Sequence, residues 1–470
     1  MKIVNILVKQ LNTAKSKIKN TYSICDLILS IPHNVFAKTI YIIILFWIYT
    51  PIIMMVYSIF LKNTDQFQLL LNNSLITIEW FTRLQQLGLL SLIVVVLFII
   101  KVLLKKKEAS LIDFIIKIKR NLSFVLFFLL LLMSIISCIT SDNISLSFYG
   151  DKYRRDGLVS YFCYFAIFAS AYILRDKNKI ISAIKHLTHV AAFLSLLTLL
   201  NIESINLLFG LSNNKAVFNN INHFAYFLCL ASMCSILPIM TSKRLKDSIF
   251  SIIEYALIVA ALARNQSLGP YLAVLVGLLL ISILIIMLKK AYIKRLILVL
   301  SIFILISVMI NISYGHILAN FLVMRNDINS ILSDPNNAFD AGTNRWGLWL
   351  NGIEFAKQKP WFGYGPDNLG EQYSLLDISY DRPHNILIQI AASLGIPALI
   401  FFLSALLVHF YQYIKLRKSL SILNLCLISA VVAYLTSSLF GNSMFYTTPF
   451  FCIILGFSLG TLKEKLLDKR

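Results

Sequence analysis

Six side chains in this 470-residue sequence could handle a phosphate and a hydroxyl: Arg154, Arg155, Arg264, Arg345 and Arg382, with His384. Each arginine falls within a few residues of an apolar run or an amphipathic stretch. A planar guanidinium keeps its charge and grips phosphate oxygens two at a time. Taken singly, each arginine reads as ordinary snorkelling from a helix end. Taken together they suit an anionic ligand at a membrane–water boundary. His384 adds a group that titrates near neutral pH. A lone interfacial histidine satisfied by water is the commoner case. This one stands beside an arginine and shares a compartment with the others.

Around these residues lies the longest polar interval of the chain, Thr343 to Gly395. Thr343 is placed to cap a helix running through Lys357. Trp346, Leu350 and Ile353 recur at helical spacing on one face with Trp349 beside them, which predicts a helix lying in the membrane interface. Pro360, Gly363, Gly365 and Pro366 end it in a turn. Pro383 suits the first turn of the next helix, leaving His384 and Asn385 at its outer end, where an anion is also favoured.

What must position these residues is a membrane. The chain is 58% hydrophobic with mean hydropathy +0.77. Apolar runs of about 20 residues match a hydrocarbon core of about 30 Å, and continuous rather than alternating runs mean helices, not a barrel. The fold expected is an all-α polytopic membrane protein. Twelve spans are predicted: 38–61, 85–104, 122–139, 158–174, 180–202, 222–240, 249–263, 269–288, 296–313, 385–411, 421–440 and 446–462.

The net charge of +21 is not a nucleic-acid signal. Alternating the spans places 31 of the 43 Lys and Arg on one side and 12 on the other, while 14 of the 22 Asp and Glu take the second side. That is the positive-inside pattern, with both termini inside. Residues 1–37 form a basic amphipathic arm on the anionic inner leaflet. Residues 38–313 carry nine spans, 314–384 form one long extracytoplasmic loop, 385–462 carry three more, and 463–470 form a cytoplasmic tail. The first apolar run begins near Ala37 and is too long for a cleaved signal peptide. Shorter outer segments are SFYGDKYRRDGLVSYFCYF, NNKAVFNNINHFAYF, ARNQSLGPY and GNSMFYTT.

Other chemistries find no motif. There is no P-loop, HExxH, GxSxG or Cys/His cluster, and no DxD pair. The seven cysteines read as small buried residues. His186 and His189, one helical turn apart, read as structural, and His223 as polar packing. His33, His316 and His409 have no supporting pattern. Asp327, Asp334 and Asp340 look solvated. Glu254 is the one plausible acid within a span, few for a proton-coupled transporter.

The segment RWGLWLNGIEFAKQKPWFGYGPDN, followed by RPHNILIQIAASLGIPALI, resembles the signature of the O-antigen ligase and polymerase superfamily. Its matching positions are Arg345, Trp346, Pro360, Phe362, Gly363, Gly365, Pro366, His384, Asn385, Gln389, Gly395 and Ile396. Gly150, Arg154 or Arg155, and Gly157 match a second element. Asn220, Asn222, Phe224 and Ala225 match a third. Where the family often has Ser-Arg-Gly, this chain has Ser267-Leu268-Gly269, with Arg264 three residues earlier. The resemblance implies a GT-C-like, metal-independent glycosyltransferase of the bacterial cytoplasmic membrane, without a cofactor. Its donor would be a glycan on undecaprenyl diphosphate. Its acceptor would be a lipid A core sugar or a lipid-linked repeat. Arg345 with Arg154 or Arg155 would hold the diphosphate, with Arg264 and Arg382 as further candidates. His384 would serve the acceptor hydroxyl. Asn220, Asn222, Trp346, Gly363, Gly365 and Asn385 would support the cavity. A transporter or flippase of a lipid-linked glycan is the rival reading, sharing the cavity but needing no outer histidine.

Overall fold

The computed structural model describes residues 24–61, 74–104, 121–204, 206, 214–218, 220–335, 338–442 and 444–467. Most of the predicted amphipathic arm lies outside the described residues. Those described fold as helices: α1 (Ile24–Ser30), α2 (His33–Ile48), α3 (Thr50–Leu61), α4 (Ser74–Leu104), α5 (Leu122–Ile139), α6 (Ile144–Tyr149), α7 (Leu158–Ile173), α8 (Lys177–Leu200), α9 (Ile221–Thr241), α10 (Ile249–Arg264), α11 (Leu268–Leu288) and α12 (Ile293–Tyr314). Then come α13 (His316–Ser333), α14 (Arg345–Gln358), α15 (Leu369–Ser374), α16 (Ile386–Leu394), α17 (Ile396–Leu416), α18 (Ile422–Ser438) and α19 (Thr448–Leu467).

Among the described residues seven helices are long and apolar enough to cross a membrane, or eight if the α1–α2 pair, bent by 79°, counts as one. The chain is a multi-pass membrane protein. Every predicted span coincides with helix, but several differ in form. The first divides at Tyr49 into α2 and α3, and the tenth divides at Gly395 into α16 and α17. α7 and α10 have 16 residues each.

α9 is the central helix, with 94% of its apolar window buried. A helix apolar all round belongs inside, and α8, α10, α11 and α18 surround it. In lipid, helices gain little from hiding grease from grease, so close approach at small residues matters more. Gly277 of α11 accordingly lies against Ala433 of α18 and Met233 of α9, and Gly456 of α19 lies on the backbone of α7. Two serines of α9 that sit inside the bundle donate back to their own helix, Ser232 to the Cys229 carbonyl at 2.9 Å and Ser235 to the Ser232 carbonyl at 2.7 Å. Six cysteines are buried and free, as expected; Cys25 is exposed.

The predicted long loop contains three helices, α13, α14 and α15. Asp327 therefore sits on a helix rather than in an open loop. α14 begins at Arg345 behind Asn344, which makes no side-chain cap. Thr343 is not the expected cap: its hydroxyl turns back to the Gly342 carbonyl, and both Thr343 and Asn344 have positive φ. The packed side of α14 is Leu348, Gly352 and Phe355, which form a small separate core with Tyr364, Leu369, Tyr373, Ala391 and Ala392.

A turn fastens this roof to the bundle. Breaking a helix at Gly395 strands backbone groups that must find partners. Tyr364 and Gly365 donate their amides to Ala392 and Ser393 carbonyls at 3.0 and 2.9 Å, and Ile396 donates to the Pro360 carbonyl at 2.7 Å. So close a fit requires glycine. A Cβ on Gly363 would stand 2.3 Å from the Ser393 carbonyl carbon, and one on Gly395 2.2 Å from the Trp361 oxygen; both have positive φ.

Candidate active site

Beneath the roof lies a cavity of about 510 Å³, bounded by α9, α11, α13 and α14. Asn222, Tyr226, Gln266, Asp327 and Arg345 give its wall polar groups, and Trp346, Trp349 and Phe440 give it aromatic ones. Along α13, Val323, Ile328 and Ile331 add an apolar stretch. The cavity therefore offers one charge of each sign beside a hydrocarbon-like surface.

The structure does not gather the five arginines into one ring. Arg382 is 1% exposed and lies between Asp156 and Asp367, 2.9 Å from the former. A buried cation needs such partners, and losing one would leave a stranded charge. This network joins the RRDG and GPDN segments to the start of α16. Burial pushes the Asp367 carboxyl up to about 6, against the pull of Arg382. Arg154 forms a two-pronged pair with Asp381, its Nη2 donating at 2.9 Å. Arg155 stacks over Phe81, 5.5 Å from the ring centre, and donates to the Lys152 carbonyl at 3.2 Å. Arg264 donates to the Leu199 carbonyl at 2.9 Å and covers the Tyr314 ring. It closes the end of α8 and does not line the cavity. Arg345 alone of the five lines it and makes no ion pair among the described residues.

His384 lies outside the cavity lining but within electrostatic range of Arg345 and Arg154. Its backbone takes the left-handed conformation, φ 51°, because the chain must turn sharply into α16. Burial, then the positive charge of Arg345 and Arg154, lowers its imidazole to about 4. The ring is neutral at physiological pH. One nitrogen, Nδ1, lies 3.3 Å from the Asn442 amide, and the ring edge meets Tyr380.

The supporting residues divide similarly. Asn385 caps α16, accepting from the amides of Leu387 and Ile388 at 3.0 and 3.3 Å. Asn220 caps α9 through the Asn222 amide at 2.8 Å. Such caps typically contribute about 1 kcal/mol. Asn222 itself faces the cavity and accepts from Ser267 at 2.9 Å. Trp346 donates to the Pro335 carbonyl at 2.7 Å. The Trp349 Nε1 donor is buried without a protein partner among the described residues. Gly363 and Gly365 build the turn and do not line the cavity.

Sequence reasoning missed the carboxylates that hold the arginines. RRDG and GPDN each show an acid near the predicted site, but their convergence on Arg382 has no signal in spacing. Two histidines read as structural also gain a partner: His189 contacts Glu254, and His186 bonds Tyr49 at 2.8 Å. Among the described residues no three His, Cys, Asp or Glu side chains converge as metal ligands.

An all-helical, multi-pass membrane protein with a roofed, arginine-bearing cavity at one end is the class that these features define. Residues 255–403 match the family model described as O-antigen ligase, and that match supports membership of the O-antigen ligase/polymerase superfamily. The matched region runs from α10 into α17 and takes in Arg264, Arg345, Arg382 and His384. No curated protein and no solved structure matches the chain.

Proposed function

We propose that this chain transfers a glycan from a polyprenyl diphosphate of the undecaprenyl type to a sugar hydroxyl, at the outer face of a bacterial cytoplasmic membrane. Both termini face the cytoplasm in this reading, and residues 314–384 face outward. The acceptor is a lipid A core sugar or a second lipid-linked repeat. The acceptor oxygen bonds to the anomeric carbon while the bond from that carbon to the diphosphate breaks. The electron pair leaves with the diphosphate, and the hydroxyl proton passes to His384. Charge grows on the leaving oxygens, where a fixed cation in a poorly hydrated site counts most.

The observation that carries this reading is Arg345. It is the arginine that lines the large cavity and has no carboxylate partner among the described residues. Arg154 stands nearby but is bridged to Asp381, so its charge is partly spent. We assign the diphosphate to Arg345 first and Arg154 second. Arg155 and Arg264 stay as weaker candidates, and Arg382 acts through the fold. Neutral His384 is the base, a role typically worth about 10²–10⁴-fold. Asn222, Trp346 and Trp349 shape the cavity, while Asn220, Asn385 and the Gly363–Gly365 turn position its walls. The apolar side of α13 suits the first isoprene units. The family match supports transfer and gives transport no support.

The test is to give purified protein, in detergent, the lipid-linked glycan fraction from the cells that make it. Product formed without any membrane gradient, and lost in Arg345→Ala and His384→Ala, supports the enzyme. Donor binding with no product would turn the assignment back to transport. A deletion strain separates the two acceptors: single attached repeats mean polymerase, and loss of all attachment means ligase.

A further inference from the structure

We propose that Asn442 is a positioning residue for His384: its amide oxygen accepts the Nδ1 proton of the imidazole and leaves Nε2 as the basic nitrogen. This rests on the assignment of His384 as the base. Asn442 belongs to GNSMFYTT, the short segment between α18 and α19, far from the signature in sequence. Its side chain is 7% exposed and reaches Nδ1 of His384 at 3.3 Å. Neighbours on the same segment fix it from several sides. Tyr446 stacks on His223 with centroids 5.1 Å apart and bonds Thr77 at 2.8 Å. Phe445 meets Phe81, the ring that carries Arg155. Met444 sits under Arg382.

The amide has two orientations related by a half-turn. With its nitrogen on Nδ1, the oxygen of Asn442 is buried without a partner. That orientation also puts the imidazole proton on Nε2, so the nitrogen away from Asn442 could only donate. The half-turn places the oxygen on Nδ1–H and frees the Nε2 lone pair. In the reaction, the acceptor hydroxyl gives its proton to Nε2 as its oxygen bonds to the anomeric carbon. The diphosphate leaves with the electron pair, and the imidazolium keeps Nδ1–H on Asn442. The groups facing the ring are Arg345 from α14, Arg154 from the turn before α7, Asp381 and Arg382 from its own strand of chain, and His223 from α9. None of these makes a hydrogen bond to Nδ1 among the described residues.

The experiment compares Asn442→Ala, Asn442→Asp and His384→Ala in detergent, with the native lipid-linked glycan fraction and a pH series. Circular dichroism and the melting temperature follow folding. Asn442→Ala should lose about 10–100-fold in kcat with KM for donor little changed, the usual scale for a residue that orients a functional histidine. Asn442→Asp can only accept. It should keep activity within about tenfold of wild type, and its added negative charge should move the acid limb of the pH profile upward. Wild-type turnover by Asn442→Ala overturns the proposal. So does an Asn442→Asp variant that is folded, binds donor and is as inactive as Asn442→Ala, since the amide must then donate. If His384→Ala is fully active, the base assignment itself fails, whatever Asn442 does.

Discussion

At the residue scale the site depends on separating free charge from committed charge. Arg345 and Arg382 both count as diphosphate candidates in sequence, the second as the weaker, and they answer to different partners. Replacing Arg345 with Ala should cut turnover by about 10²–10³-fold, the scale of one lost electrostatic donor, with an unchanged melting temperature. Replacing Arg382 with Ala strands Asp156 and Asp367, and should cost about 3–5 kcal/mol of stability. A melting curve read beside a transfer assay distinguishes the two. His384 gives a pH prediction. Its proton affinity is depressed to about 4, so the active, neutral form persists above that pH and is lost as pH falls through it. Bound diphosphate offsets the positive field of Arg345 and must raise the affinity. The acid limb of kcat/KM, which reports free enzyme, should therefore lie near 4, and that of kcat should lie higher. Coincident limbs would mean that the donor does not sit beside Arg345.

At the element scale the decisive piece is the clamp between the Pro360–Pro366 turn and the helix break at Gly395. Its hydrogen bonds run backbone to backbone, so side-chain chemistry enters only through the need for none. Gly363→Ala faces both a positive φ and a backbone atom at 2.3 Å. A non-glycine residue held in such strain costs about 1–3 kcal/mol before the clash is counted. We expect a lower melting temperature and weakened transfer together, because the turn fixes where α14 presents Arg345. A variant with normal stability and normal transfer would show that the roof tolerates displacement. This clamp was half legible beforehand. Gly363 and Gly365 announced a turn, but the tenth span read as one continuous apolar run, and nothing in its hydropathy marked the break. Likewise the spacing of Trp346, Leu350 and Ile353 gave a helix its position, but not its packed side. Leu348, Gly352 and Phe355 face the small core instead, and the tryptophans face the cavity.

At the scale of the whole molecule, charge asymmetry predicts which end is outside. Trp361 is 70% exposed in the roof, and Cys25 is exposed within the N-terminal arm. In a variant where Trp361→Cys joins the native Cys25, a membrane-impermeant maleimide should label position 361 in intact spheroplasts and Cys25 only after lysis. The reverse pattern would invert the topology and remove the outward site.

The sequence by itself determined the helical membrane class, the placement of the long apolar helices, and the stretch where chemistry collects. Hydropathy and charge bias are sums over many residues, so they survive ignorance of contacts. The tertiary structure alone decided which arginine is left for a ligand, since pairing depends on carboxylates more than two hundred residues away, as with Arg154 and Asp381 or Arg382 and Asp156. It also brought Asn442 to His384 across 58 positions. Hydrogen bonds and ion pairs act over a few ångströms, and a chain's linear spacing carries almost no record of such distances once helices pack side by side.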